Sequence, residues 1–361
     1  MIRQDFMLDE TETTSKHHVR RWNAFKIGVF VFLGIYAVAT LFPFYALFIR
    51  TFVGTDTATQ LHLWIPPVKE VSLDAEVGNL SVYFNLDLQK VKADLGIPPT
   101  EYLSSRMSLR DIAEKYDIPE EEIREYLRPF YTFNGWIVLF SGERLKNALW
   151  RTFVITALSL IGVNLLSLLT GYGLAGLNRI DQRFIYNLYV INPLIPPMLV
   201  LLPQFVIIQF LLGFLPESLV SSGKMFAIVL LQIKGGALPI MIYTAFISSI
   251  PHEIQDAAEI DGASPFQYIR YVIMPLLKVP IATVTVIMLP WFWNNFLQPY
   301  VYLDAKNTML LPLIQQYTGQ YTTNYQVSFT GIFVSIIPLV IVYFLFRRWF
   351  IEGAMAGAIK G

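Results

Sequence analysis

The residues of this chain that could do chemistry lie in three places, and none of them forms a catalytic set. The apolar run Val279–Leu303 carries Trp291, Trp293, Asn294, Asn295 and Gln298. Indole rings cover the apolar face of a pyranose, and carboxamides exchange hydrogen bonds with hydroxyls, so this group suits non-covalent recognition of a polyhydroxylated solute. The same groups also serve as glue between membrane helices, worth about 0.6–2 kcal/mol each. Lys234 lies inside a second apolar run, Met225–Pro251, just before Gly235 and Gly236. A lysine at mid-membrane costs about 2.5–3.5 kcal/mol. It therefore either faces a polar cavity, where it could hold an anionic solute, or snorkels to an interface. The third place is the polar stretch Ile250–Pro275, with Ala257, Ala258, Glu259, Asp261, Gly262 and Ala263 at its centre.

Several chemistries have no residues to carry them. The chain has no cysteine and four histidines, so disulfides, thiol catalysis and a spaced metal-ligand set have no basis. Gly223-Lys224 lacks the upstream glycine of a phosphate-binding loop and is followed by Met225, so no nucleotide or other cofactor is expected in this chain. Every aspartate and glutamate lies outside the uncharged runs, which argues against a secondary transporter coupled to protons or sodium. No convergent acid, base or metal set suggests a membrane enzyme. Formal net charge is zero, so no basic field points to nucleic acid.

Local signals shape the polar stretch. Pro251 suits a first helical turn, and Ala257, Ala258 and Glu259 are good helix formers. Asp261-Gly262 reads as a stop, with the glycine free to take positive φ. Ser264-Pro265-Phe266-Gln267 reads as a new start, with Ser264 as N-cap and Gln267 closing a capping box. The stretch is thus predicted to be two short helices bent at a glycine, a lever against which another protein could push.

These residues resemble the EAA loop of ABC-importer permeases: Ala257-Ala258-Glu259, then Asp261-Gly262-Ala263, then Pro275. The form is that of the carbohydrate-uptake class, similar to the smaller maltose permease. Trp293-Asn294-Asn295-Phe296 with Pro299 resembles that family's tryptophan-asparagine block, and Phe350–Gly361 resembles its C-terminal tail. The likeness covers Leu145 to Gly361 and the first span. It implies an all-α polytopic membrane protein with six transmembrane helices, the type I ABC importer permease fold, working by alternating access. It implies that Ala257–Ala263 docks on a separate ATPase, where Glu259 pairs with a basic residue, and that the tail residues Gly357, Lys360 and Gly361 reach the same subunit. The implied partners are a second permease subunit, most simply as a heterodimer, two ATPase subunits that bind ATP and Mg, an extracytoplasmic solute-binding protein, a saccharide and the lipid bilayer. An ABC permease for a non-sugar cargo is the nearest alternative.

Composition agrees with a membrane protein carrying some soluble mass: 54% hydrophobic and 15% charged residues over 361 positions. Residues 1–24 are polar. The uncharged run Ile27–Ile49 is too long for a signal core and has no small-residue cleavage site after it, so 25–50 reads as a retained first span. Residues 51–144 are acidic and punctuated by proline, an insert between spans 1 and 2. In it, Val71–Leu88 alternates weakly, which predicts short strands. Leu109, Ile112, Ala113 and Tyr116 predict a helix, with Pro119 opening a second through Ile123 and Leu127. Glu120, Glu121, Glu122 and Glu125 on that second helix argue against reading DNA. A packing or docking module is the favoured reading and a glycan-binding LysM-like unit the alternative. Further apolar runs follow in a 145–346 core: Thr152–Asn178, Phe184–Pro216, Met225–Pro251, Val279–Leu303 and Val327–Phe346, the last preceded by a polar-aromatic lip. Residues 347–361 form the tail, small and flexible in composition. Basic residues at Arg20-Arg21-Lys26, Arg179-Arg183, Arg270-Lys278 and Arg347-Arg348 fall on one face, which places both termini and the 250–275 loop in the cytoplasm of a bacterial or archaeal plasma membrane, and the insert outside.

Overall fold

In the computed structural model the described residues are 8–54, 61–65, 73–80, 84, 86–191, 194–234, 236–318 and 324–358, with side chains described between 25 and 351 apart from Asn79. In chain order the main helices are α1 (Leu8–Arg50), α2 (Leu88–Asp94), α3 (Leu109–Lys115), α4 (Glu120–Phe140), α5 (Glu143–Ala175), α6 (Arg179–Ile191), α7 (Pro197–Leu212), α8 (Glu217–Ile233), α9 (Ala237–Ile247), α10 (His252–Ile260), α11 (Pro265–Leu276), α12 (Lys278–Trp293), α13 (Leu297–Tyr302), α14 (Leu310–Gln315) and α15 (Tyr325–Ala358). No strand occurs among the described residues.

The insert is a small helical unit with its own core. Leu109, Ile112 and Ala113 from α3 meet Ile123, Leu127 and Tyr131 from α4, and Leu73, Val77, Leu80, Leu86, Val91, Ile97 and Leu103 close around them. Ser108 starts α3 with a reciprocal capping box: the Asp111 N–H donates to Ser108 Oγ at 3.1 Å, and the Ser108 N–H donates to the Asp111 carboxylate at 2.8 Å. These hydrogen bonds hold the Asp111 carboxyl below its usual range. Three glutamates in the first turn of α4 complement the positive end of its helix dipole. The strands expected between Val71 and Leu88 are absent among the described residues of that segment. It makes one isolated bridge, Glu76 to Ser108, and a 3₁₀ turn over Val77–Asn79. The physical reason is the partner. The segment pairs with residues that turn into α3 at Leu109, so Leu109 N–H and Arg110 N–H reach back to Ala75 and Leu73 and the ladder has nowhere to extend.

Long α4 ties this unit to the membrane helices. Gln326, at the start of α15, donates from Nε2 to the carbonyls of Thr132 at 2.8 Å and Thr51 at 3.2 Å. Trp136 Nε1 donates to Thr51 Oγ1 at 3.2 Å. Gly135 lies against Thr330 and the Gln326 backbone, where a Cβ would overlap both.

Among the described residues three helices are each long and apolar enough to cross a membrane: Phe25–Arg50 within α1, α5, and Tyr325–Ile351 within α15. About 20 residues suffice at ~1.5 Å rise each. The pairs α8 with α9 and α11 with α12 pass the same test together but are bent, by 56° and 72°. The apolar run expected over Phe184–Pro216 is divided, with α6 before residues 192–196 and the 16-residue α7 after them. The tail expected to be flexible is helical: α15 continues through Ala358, carrying the backbone of Gly357 with it. Lys360 and Gly361 lie outside the described residues.

α5 is the spine of the bundle, with α8, α9, α12 and α14 packed along it. Small residues allow the closest approach. A Cβ at Gly171 would lie 2.8 Å from Tyr243 Cβ and 3.0 Å from the Thr244 nitrogen of α9, whereas one at Gly173 would meet nothing within 4 Å. Gly171→Leu is therefore expected to force α5 and α9 apart at a cost of about 1–3 kcal/mol and to lower the thermal midpoint of the purified protein, while Gly173→Ala leaves the midpoint unchanged. Equal behaviour of the two variants would contradict this packing.

Candidate coupling site

The stretch between α9 and α12 forms the lever that its residues predict, and each bend has a local cause. Pro251 precedes α10, which ends in a Schellman motif: the Ala263 N–H donates to Ala258 O at 2.9 Å and the Gly262 N–H to Glu259 O at 3.0 Å. That geometry needs a left-handed residue, and Gly262 has φ of 75°. Ser264 restarts the chain. Its N–H donates to Gln267 Oε1 at 2.7 Å, and the Gln267 N–H donates to Ser264 Oγ at 3.3 Å, so the capping box read from the sequence is present. α11 then passes through a π-helical turn over Ile269–Ile273 before the bend at Leu277.

One face of this lever is anchored and the other is bare. Ala258, Tyr268, Ile269 and Ile273 pack with Ile247 and Ile250 from the end of α9 and with Tyr172 and Ala175 from the end of α5. The rings of Tyr172 and Tyr268 lie 6.4 Å apart. A cleft of about 280 Å3 between the end of α5 and α10, lined by Tyr172, Gly176, His252 and Gln255 among others, runs beside this anchor. The outer face has no described packing. No residue of α10 is buried. Ile260 is 86% exposed and Phe266 75%, large apolar groups with nothing from the described residues over them. Between Pro251 and Ala263 there is no lysine or arginine, and the carboxylate-bearing residues Glu253, Asp256, Glu259 and Asp261 are all exposed. Glu259 accepts a hydrogen bond from Gln255 one turn earlier at 3.0 Å. Such a surface can meet a groove with an apolar floor and basic walls. Ala257 faces out, whereas Ala258 is half-buried in the anchor, so the two alanines do different jobs.

The residues singled out in the apolar runs are separated by the fold. Trp293 is buried, and its Nε1 donates to Ser335 O of α15 at 3.0 Å, which is the interhelical role. Trp291, two residues earlier, is 75% exposed on the outside of α12. Asn295 and Gln298 bond each other at 2.6 Å across the start of α13, and Asn294 is exposed at the end of α12. Lys234 stands exposed at the break between α8 and α9, where Gly236 takes φ of 101°. It caps a helix end rather than sitting within a continuous helix. Sequence reasoning missed the polar contact that joins three membrane helices: Tyr243 of α9 donates to Asn164 of α5 at 2.7 Å, and Asn164 Nδ2 reaches Thr285 of α12 at 3.5 Å. Asn164 lies in an uncharged run, so an amide there was the available signal.

Residues 163–353, more than half of the chain, match the family of binding-protein-dependent transport system inner membrane components, and the chain belongs to it. It is thus an ABC-transporter permease component. Among curated relatives, it is 31% identical over 252 residues to the multiple sugar-binding transport system permease protein of Streptococcus mutans, covering 66% of this chain and 87% of that one. It is 30% identical over 220 residues to a probable starch degradation products transport system permease protein of Thermoanaerobacterium thermosulfurigenes (60% and 76% covered). It is 27% identical over 222 residues to an sn-glycerol-3-phosphate transport system permease protein of Brucella abortus (61% and 76% covered). The fold is shared, at a TM-score of 0.59 and 17% identity, with a chain in the crystal structure of a bacterial ABC transporter involved in the import of the acidic polysaccharide alginate, covering 92% of this chain and 98% of that one.

If Gly262 holds the bend, Gly262→Ala should weaken the turn by about 1–2 kcal/mol through backbone strain alone, since its Cβ would meet nothing within 4 Å. Hydrogen exchange at the Ala263 amide should quicken by roughly tenfold, and Gly262→Asn should restore most of the protection. Unchanged exchange in Gly262→Ala would show that the turn does not depend on the left-handed residue.

Proposed function

We propose that this chain is one membrane half of an ATP-driven importer that moves a saccharide across a bacterial or archaeal plasma membrane by alternating access. A second permease subunit supplies the other half of the path, two ATPase subunits bind ATP and Mg and close, and an extracytoplasmic binding protein delivers the solute. Six spans fit the chain: α1, α5, α7, the broken pair α8–α9, α12 and α15. With basic residues on the cytoplasmic face, both termini and α10–α11 lie inside and the insert outside. The observation that carries the reading is the lever itself. It is capped at both turns, anchored on α5 and α9, and bare, apolar and acidic on the face turned away from the bundle. Ion-pairing of Glu259 with a basic residue of the ATPase would fix register as much as affinity. The tail residues Gly357, Lys360 and Gly361 are proposed to contact the same subunit, and the helicity of α15 through Ala358 supports a defined path for the tail as far as Gly357.

The relatives act on neutral and anionic cargo by their names, and Lys234 bears on which class applies here. At the α8–α9 break, with its side chain exposed, it can offer a positive charge to a carboxylate or phosphate on the solute. We infer that the saccharide is anionic, such as a uronic or phosphorylated sugar. Of the other candidates, the Asn294 amide and the Trp291 ring are exposed, Asn295 and Gln298 are paired with each other, and Trp293 is engaged with Ser335.

Reconstitution of the whole assembly in proteoliposomes tests both statements. Uptake of labelled neutral and uronic oligosaccharides should require ATP and the binding protein, and an imposed proton or sodium gradient should not replace ATP. Lys234→Met should raise KM for the uronic substrate about tenfold and leave neutral uptake unaltered. Gradient-driven uptake without ATP would overturn the importer reading; identical KM values would overturn the anionic one.

A further inference from the structure

The membrane helices deal with their buried hydroxyls in a regular way, and one group departs from it. Thr152, Thr244 and Thr330 each donate to the carbonyl four residues earlier at 2.8 Å, and Ser335 to the one three residues earlier at 2.6 Å. This back-bonding is the ordinary outlet for a hydroxyl in an apolar helix. Thr156 and Ser159 of α5 and Gln232 of α8 do not follow suit. They are 3%, 0% and 7% exposed, and Thr156 Oγ1, Ser159 Oγ and both Gln232 amide atoms have no hydrogen-bond partner among the described residues. Each unsatisfied buried polar group costs about 1–3 kcal/mol. Four at one level of two packed helices is a large standing cost.

The three residues lie on two helices that pack against each other. Ile155 of α5 packs in one cluster with Ile228 and Val229 of α8, and Ile233 of α8 fills the space beside Gly162 of α5. Thr156 and Ser159 fall between the two α5 contacts, and Gln232 between the two on α8. Because these atoms are covered within this chain, a neighbouring subunit cannot satisfy them in this conformation. Just after Gln232, α8 gives way to α9 at a bend of 56°, and Gly236 before α9 has φ of 101°, a conformation that glycine adopts readily.

We propose that Thr156, Ser159 and Gln232 form a saccharide-binding subsite of the transport path, closed in this conformation and opened to water when the α8–α9 break moves. Two hydroxyls and a carboxamide offer donors and acceptors of the kind that sugar hydroxyls exchange. Leaving them unpaired when closed disfavours an empty occluded state and favours the loaded one. This inference rests on the importer reading above and goes beyond it by assigning residues that lie outside the tryptophan-asparagine block.

The chain has no cysteine, so single thiols report cleanly. Gln232→Cys, Ser159→Cys and, as a buried apolar control, Ile228→Cys are assembled with the partner permease, ATPase and binding protein in proteoliposomes. Each is then exposed to a cationic methanethiosulfonate reagent, without nucleotide and with ATP plus vanadate. The subsite predicts that the thiols at 232 and 159 react at least tenfold faster in one of the two conditions, and that the thiol at 228 stays inert in both. Should Gln232→Cys fail to assemble, Thr156→Cys takes its place. Inert thiols at all positions in both conditions would overturn the proposal. A second arm measures uptake of the saccharide that the wild-type assembly transports. Gln232→Leu should raise KM at least tenfold, and an unchanged KM would mean that these residues bind no sugar. A wild-type assembly with no ATP-dependent uptake would instead sink the importer reading, so the two failures are told apart.

Discussion

A helix that transmits force has to be held stiffly on one side and left uncovered on the other. In this chain that condition is met at the Schellman turn of α10, where a single left-handed residue, Gly262, lets two backbone bonds close the helix and turn it. The half-buried Ala258 and the Tyr172–Tyr268 contact fix the inner side to the ends of α5 and α9. From there the anchor reaches much of the bundle, because α8, α9, α12 and α14 all pack on α5. A push on α10 is thus a push on α5, α9 and α12 together.

The other end of the bundle is tied just as firmly. The Gln326 amide joins the end of α1, the middle of α4 and the start of α15, and Gly135 lets α4 lie close against Thr330. In lipid, polar groups need partners within the protein, and one carboxamide donating to the carbonyls of Thr51 and Thr132 ties the insert to α15. α15 in turn runs unbroken to Ala358. The insert is therefore joined to the first turn of a helix whose other end is the tail.

Local chemistry was the legible part of this protein. The capping box at Ser264 and the stop at Gly262 need only neighbours in sequence, and both form as their residues predict. The long apolar runs were readable because lipid demands them. What depends on distant partners was not. Whether Trp291 or Trp293 points inward is a matter of which neighbour α12 meets, and adjacent alternating positions of a helix face opposite ways. Val71–Leu88 carries a strand-like alternation, but its one pairing partner becomes a helix at Leu109. The alanine- and glycine-rich tail reads as loose in composition, yet it continues a long helix already nucleated upstream, where each added residue needs little extra free energy. Lys234 looked like a charge inside a continuous span; the helix ends beneath it instead.

The central claim is that the bare face of α10–α11 is where a separate nucleotide-hydrolysing subunit grips this chain. A photo-crosslinking amino acid placed at Ile260, the most exposed apolar residue of the lever, tests it directly in intact membranes containing the whole assembly. The account predicts one dominant product joining this chain to the ATPase, formed in yields that change with ATP. Crosslinks to lipid or to this chain alone, with none to the ATPase in either nucleotide condition, would contradict it.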